Sequence, residues 1–184
     1  VIPYITNDLV AICTGADGDG LHAKWVVRFK KPWLNLLFLL PTTIISDECT
    51  HEAGPLLIRW HLLRLWSGRA LMLHCFLRSD NARHYHDHPW SFKTLLLSPY
   101  VEHTPKLPPK HAPFDAATAV DIAAYHQRFS FLHRPAQWLH WVQTIQPLTW
   151  TLVYHGPGGR QWGFITEKGW VPWDRYTVHY PCGE

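Results

Sequence analysis

The sequence predicts an all-β domain, a sandwich or barrel, and three observations lead there. From residue 70 the side chains fall into period two: Leu71, Leu73, Cys75 and Leu77 alternate with Met72, His74, Phe76 and Arg78, as in a strand whose successive residues face opposite ways. Strand-like runs then recur at short spacing, near 83–88, 91–97, 125–133, 138–145, 148–155 and 160–166, divided by turn signals such as Ser79-Asp80-Asn81 and Gly156-Pro157-Gly158-Gly159. Finally, the 184 residues are 47% hydrophobic and only 17% charged, which supplies the core of one domain and excludes a disordered chain.

The elements follow in chain order. Residues 1–31 hold two short β-like runs around Gly15–Gly20. Asp17 and Asp19 in that stretch lack the other ligands of a calcium loop, so it reads as a hairpin turn. Pro32, Pro41 and Pro55 punctuate the next segment. Within it Leu56, Leu57, Trp60, Leu63 and Leu65 or Trp66 fall at roughly helical spacing, with Arg59 and Arg64 turned away. That spacing predicts a short helix ending near Ser67-Gly68 and packed outside the main sheet. Residues 105–118 carry four prolines and read as an exposed loop. The chain therefore divides into an N-terminal extension, 1–69, packing on a β-barrel domain, 70–184.

Several classes of function fall away. The longest apolar run, Trp33–Leu40 with Asn35 inside it, is far short of the roughly 20 residues a spanning helix needs. No basic segment followed by an apolar one opens the chain, and Cys13, Cys49, Cys75 and Cys182 form no CxxC pair, so reduced thiols and a cytoplasmic location are expected. The net charge of +3 does not imply nucleic acid. Lys24, Arg28, Lys30 and Lys31 read as a solvated face. The segment Leu34–Leu40 needs cover, either from the barrel or from a homodimer contact.

What stands out is 14 histidines and 11 tryptophans. In His84-Tyr85-His86-Asp87-His88-Pro89-Trp90, a strand would project His84, His86 and His88 from one face and Asp87 from the other. Two imidazoles so spaced reach one metal ion. His140 lies between apolar Trp138 and Val142 on a second strand-like run, where a histidine opposite an HxH strand is a third candidate ligand. His133 reads as a pocket-wall or surface residue.

His86-Asp87-His88 followed by Pro135-x-x-x-x-His140 resembles the two motifs of the cupin superfamily. The wider text, from Leu73–Asp80 through His86–Trp90 to Trp162-Gly163-Phe164 and Gly169-Trp170-Val171-Pro172-Trp173, is similar to small cupin-like proteins of bacteria and their phages. The resemblance covers about residues 70–176 and implies a double-stranded β-helix, or jelly-roll barrel. Two departures matter. Gln137 stands at a motif glycine, and the usual motif glutamate falls at Phe92 or Lys93, neither of them a carboxylate. The ligand set implied is therefore His86, His88 and His140, which resembles the three-His iron site of thiol dioxygenases. His84 stays open as a fourth ligand or a donor behind a ligand, and Glu102 as a further ligand or a base.

Three neutral imidazoles leave a metal its full charge and open positions, suited to oxygen chemistry or to water activation. Fe(II) is expected from the resemblance, with Zn, Ni, Mn or Cu as alternatives. Trp90, Trp138, Trp150 and Trp162 are candidates to line a pocket for a small-molecule substrate. Arg78, Arg83, Arg128 and Arg160 are candidates to clamp an anionic group. The first functional reading is a metal-dependent oxygenase. The second is a metal-assisted isomerase or lyase with His84, Glu102 or Tyr100 moving a proton. The third is a binding or structural module without catalysis.

Overall fold

The computed structural model describes residues 3–16, 23–45, 54–80, 84–106 and 119–179. The turn around Asp17 and Asp19, Arg83, and most of the proline-rich loop lie outside the described residues.

The period-two segment forms the strand that organises the molecule, β6 (Ala70–Phe76). One of its faces sends Leu73 and Cys75 into a core shared with the N-terminal extension, and the other sends Ala70 and Met72 into the barrel. β6 pairs on one side with β5 (Leu57–Arg64) and on the other with β13 (Thr149–His155). β13 continues to β8 (Phe92–Leu96) and β8 to β11 (Phe131–Arg134), while β4 (Thr42–Ile45) closes the far edge beyond β5.

The facing layer is built from β9 (Tyr100–Pro105), which lies between β10 (Asp121–His126) and β12 (Trp141–Thr144). A second group joins it: β7 (Tyr85–His86), β14 (Gly163–Thr166) and β15 (Gly169–Pro172). The join is the antiparallel bridge His86–His140, with His86 N–H to His140 C=O at 3.1 Å and His140 N–H to His86 C=O at 3.0 Å. From β6 to β13 the layers therefore read β6-β13-β8-β11 and β7-β12-β9-β10. First and last strands are neighbours in each layer and every pair is antiparallel, which is jelly-roll order. The fold is a double-stranded β-helix.

The extension supplies an outer layer. A meander of β1 (Pro3–Ile5), β2 (Leu9–Ala16) and β3 (Ala23–Phe29) is followed by a 3₁₀ helix, Pro32–Leu39, with proline in its first turn. Leu9, Ala11, Val27, Phe29 and Leu34 pack with Ile58, Trp60, Cys75 and Leu77 of the barrel wall. Asn35, the polar residue inside the apolar run, accepts from the Phe29 N–H and donates to the Phe29 C=O, both at 2.9 Å, tying the helix to the end of β3. Trp33, Leu36 and Leu39 remain exposed.

The helix expected over residues 56–66 is a strand, β5. Both faces of its first half are covered: Ile58 and Trp60 pack against the outer layer, and Leu57 is buried on the other face, while Leu62 and Leu63 are exposed. Burial on two faces puts apolar residues at consecutive positions and removes the period-two signature, leaving a spacing that imitates a helix. The strand-like run at 125–133 divides into β10 and β11 at a turn where Phe129 takes a φ of 68°.

Candidate metal centre

Three histidines meet inside the barrel. β7 carries His86, the extended residues just after it carry His88, and His140 immediately precedes β12. The backbone bridge between His86 and His140 fixes the register that sets their rings side by side. The ligand atoms of His86, His88 and His140 all lie within 4.8 Å of one another. Nε2 of His88 and Nε2 of His140 are 2.8 Å apart.

The protonation of these rings follows from what stands behind them. Glu102, on β9 beside Val142, is buried and accepts from His140 Nδ1 at 2.8 Å. It also receives Arg134 Nε at 3.1 Å and Nη2, Trp138 Nε1 at 3.1 Å and His126 Nε2 at 3.1 Å. Burial alone would raise the Glu102 pKa, but the hydrogen bonds and charges of His140 and Arg134 outweigh it and hold the group well below the usual carboxylate range. An ionised carboxylate only accepts, so the hydrogen bond to Glu102 takes up Nδ1 of His140 and leaves Nε2 as the atom that faces the cluster. Asp80 does a related job, its carboxylate lying 3.4 Å from His86 Nδ1.

Burial, with the charge of His140 second, lowers the His86 pKa to about 3, and burial first among several causes places His88 well below its ordinary value. Both rings are neutral at neutral pH, the form that binds a metal. Three imidazole donors, two with carboxylates behind them, fit a divalent first-row ion. Phe92 closes one side, its ring centroid 4.7 Å from that of His88 and 6.0 Å from that of His140. Trp162 and Phe164 stand against His86 at 6.2 and 5.8 Å.

Asp87 faces away from the cluster and clamps the loop that carries it. It is buried, accepting from Gly163 N–H at 2.8 Å, Trp170 Nε1 at 3.3 Å and Arg160 Nη2 at 2.8 Å. Arg160 also donates to the His88 C=O at 2.8 Å. Residues from His86–Trp90, Trp162–Phe164 and Gly169–Trp173 thus form one assembly, which the stacking of Trp162 on Trp173 at 5.9 Å extends. Gly163 is required there: a Cβ would sit 2.1 Å from the Val171 carbonyl oxygen.

Other residues singled out in the sequence take different places. His84 is not part of the cluster; its Nδ1 meets the Tyr176 hydroxyl at 2.9 Å and its Nε2 meets Glu167 at 3.2 Å. Glu102 sits behind His140 with both oxygens engaged, so it is neither beside the open face of the cluster nor available as a base. Tyr100 is buried with Leu96 and Val142, and burial raises its pKa. Trp138 serves Glu102 and lies under the Arg134 guanidinium at 4.6 Å. Trp150 is no pocket residue: it points to the outer face of β13 and stacks on Trp60 at 5.6 Å. Trp90 adjoins the site, its ring 6.2 Å from that of His88.

His133 is exposed. Arg78 binds the Gly54 and Ser79 carbonyls, and Arg128 lies over Phe129 on the surface. Arg134, His126 and Asp80 went unread. For Arg134 a signal existed, since it shares with Leu132 the inward face of β11.

No protein-family model matches the chain, and no curated protein matches it. Solved structures that resemble it include a cupin-2 domain protein of Rhodospirillum rubrum (9% identity, 71% of this chain and 78% of that one, TM-score 0.47). The Fe(II) form of HppE is another (7% identity, 62% of this chain and 55% of that one, TM-score 0.45). A cupin-like protein of Thermotoga maritima is a third (12% identity, 70% and 86%, TM-score 0.39). The double-stranded β-helix rests on the strand order of the molecule itself, and its inner face presents a three-histidine cluster with the chemistry of a metal centre.

Proposed function

We propose that the chain is a metal-dependent enzyme acting on a small molecule, a mononuclear non-haem iron oxygenase in which His86, His88 and His140 hold the metal. The observation that carries this reading is the placement of His140. Glu102, itself held by Arg134, Trp138 and His126, lies against its Nδ1 and leaves its Nε2 facing His88 Nε2, 2.8 Å away. A buried carboxylate with this many donors costs desolvation, and orienting a ligand is a use that accounts for it.

A bound divalent ion would supply Lewis-acid or redox chemistry at the positions that three histidines leave open. The chain's residues do the rest. Asp80 and Glu102 steady the rings of His86 and His140. Phe92, Trp162 and Phe164 put aromatic surface beside the cluster and limit water there. Arg160 and Asp87 fix the backbone on which His88 is carried.

The test is anaerobic loading with Fe(II) followed by nitric oxide, a probe of open positions on ferrous iron. The EPR signal of a high-spin ferrous nitrosyl is expected for the wild type and absent from His86→Ala, His88→Ala and His140→Ala. A wild-type protein that takes up iron but gives no nitrosyl signal would argue against an oxygenase.

A further inference from the structure

β5 delivers cations that the three-histidine cluster does not use. Arg59 lies opposite His74 in the β5–β6 pair, and its Nε donates to His74 Nε2 at 3.1 Å. Its terminal amino groups have no hydrogen-bond or ion-pair partner among the described residues. Further along the same two strands, His61, Arg64, Arg69 and His155 surround a cavity of about 250 Å³. Every polar side chain lining it is basic, and among the described residues none of Arg59, Arg64 and Arg69 is paired with a carboxylate. His61 adds a buried Nδ1 with no hydrogen-bond partner. The cavity adjoins the cluster through one side chain: the Trp90 ring is 4.6 Å from that of His155 and 6.2 Å from that of His88.

Unpaired cations held together repel one another, and an anion removes that cost. Guanidinium forks match the oxygens of carboxylates and phosphates. The two lining guanidiniums, Arg64 and Arg69, with the charge of Arg59 felt at His61 and His155, exceed what a single carboxylate neutralises, which favours a dianion. We propose that this cavity binds a phosphate monoester group, so that the substrate class of the three-histidine site is a small phosphorylated molecule whose other end reaches His88 past Trp90. Two further observations agree. Burial lowers the Arg59 pKa to about 10. Burial first, then the charges of Arg64 and Arg59, lower His61, and burial with the charges of Arg59 and Arg64 lowers His155 against the hydrogen bond it makes to the Gly156 carbonyl. The catalytic half of this inference rests on the metal reading; the binding half does not.

Isothermal calorimetry of the full chain with inorganic phosphate tests it. Saturable binding is expected for the wild type and for His140→Ala, which leaves the cavity intact. Arg64 and Arg69 are exposed, so the double variant Arg64→Gln/Arg69→Gln is expected to fold and to bind phosphate at least about tenfold more weakly, as for loss of a charge-assisted hydrogen bond. No phosphate binding by the wild type, undiminished binding by the double variant, or acetate binding as tightly as phosphate would overturn the proposal. Metal content unchanged in His140→Ala, with phosphate binding intact, would overturn the metal reading alone.

Discussion

At the scale of single residues, Glu102 shows how much of a site lies behind its ligands. It touches no open position, yet it takes up Nδ1 of His140 and gathers Arg134, Trp138 and His126. Glu102→Gln keeps the shape and removes the charge. We expect metal affinity to fall about 10–100-fold, measured by competition with a chromophoric chelator, because the partner that orients His140 is weakened. The same variant leaves Arg134 without its counter-charge, so stability should fall as well, by a few kcal/mol. The three histidines were legible because two share an HxH run and the third interrupts an apolar alternation. Arg134 and His126 were not, since residues that serve a ligand carry no spacing of their own. Trp150 was misread because both faces of β13 are covered, Thr149, Thr151 and Val153 on one and Trp150 and Leu152 on the other, and composition does not say which face looks into the barrel.

At the scale of elements, β5 is the instructive case. A strand covered on both faces over its first half, with its register shifted between His61 and Leu63, shows no steady alternation, and its leucines and Trp60 fall at positions that suit a helix equally well. That misreading hid Arg59, which in a strand faces His74. Trp60 is fully buried between the outer layer and the barrel, with Phe29, Phe38 and Trp150 around it. Trp60→Ala should cost about 3–5 kcal/mol in urea unfolding. It should also broaden the near-ultraviolet signal of both layers, since they share one core. At the β14–β15 hairpin, Gly163→Ala pushes a Cβ into the Val171 carbonyl and disturbs the N–H that Asp87 accepts. A loss of about 1–3 kcal/mol is expected from overpacking, with weaker metal binding because Asp87 no longer anchors the His86–His88 segment.

At the scale of the molecule, the jelly-roll order was foreshadowed by strand spacing, while the layer assignment depended on the His86–His140 bridge between segments more than fifty residues apart. The same convergence buries neutral rings. Burial takes the His86 pKa to about 3 and holds His74 and His88 well below theirs. The unfolded chain takes up these protons near pH 6.5 and the folded chain only far lower, so the unfolded state binds more protons in between. Stability of the metal-free protein is therefore full above about pH 6.5 and lost as pH falls toward 3, with Glu102 adding to the loss below the ordinary carboxylate range. Urea midpoints recorded across that interval check this; a flat profile would mean the rings are not buried neutral. The most direct measurement is elemental analysis of protein purified without a histidine tag or chelator, alongside His86→Ala, His88→Ala and His140→Ala. The account predicts one transition-metal ion per wild-type chain and near-complete loss in each variant. Metal retained at wild-type levels in all three would contradict it.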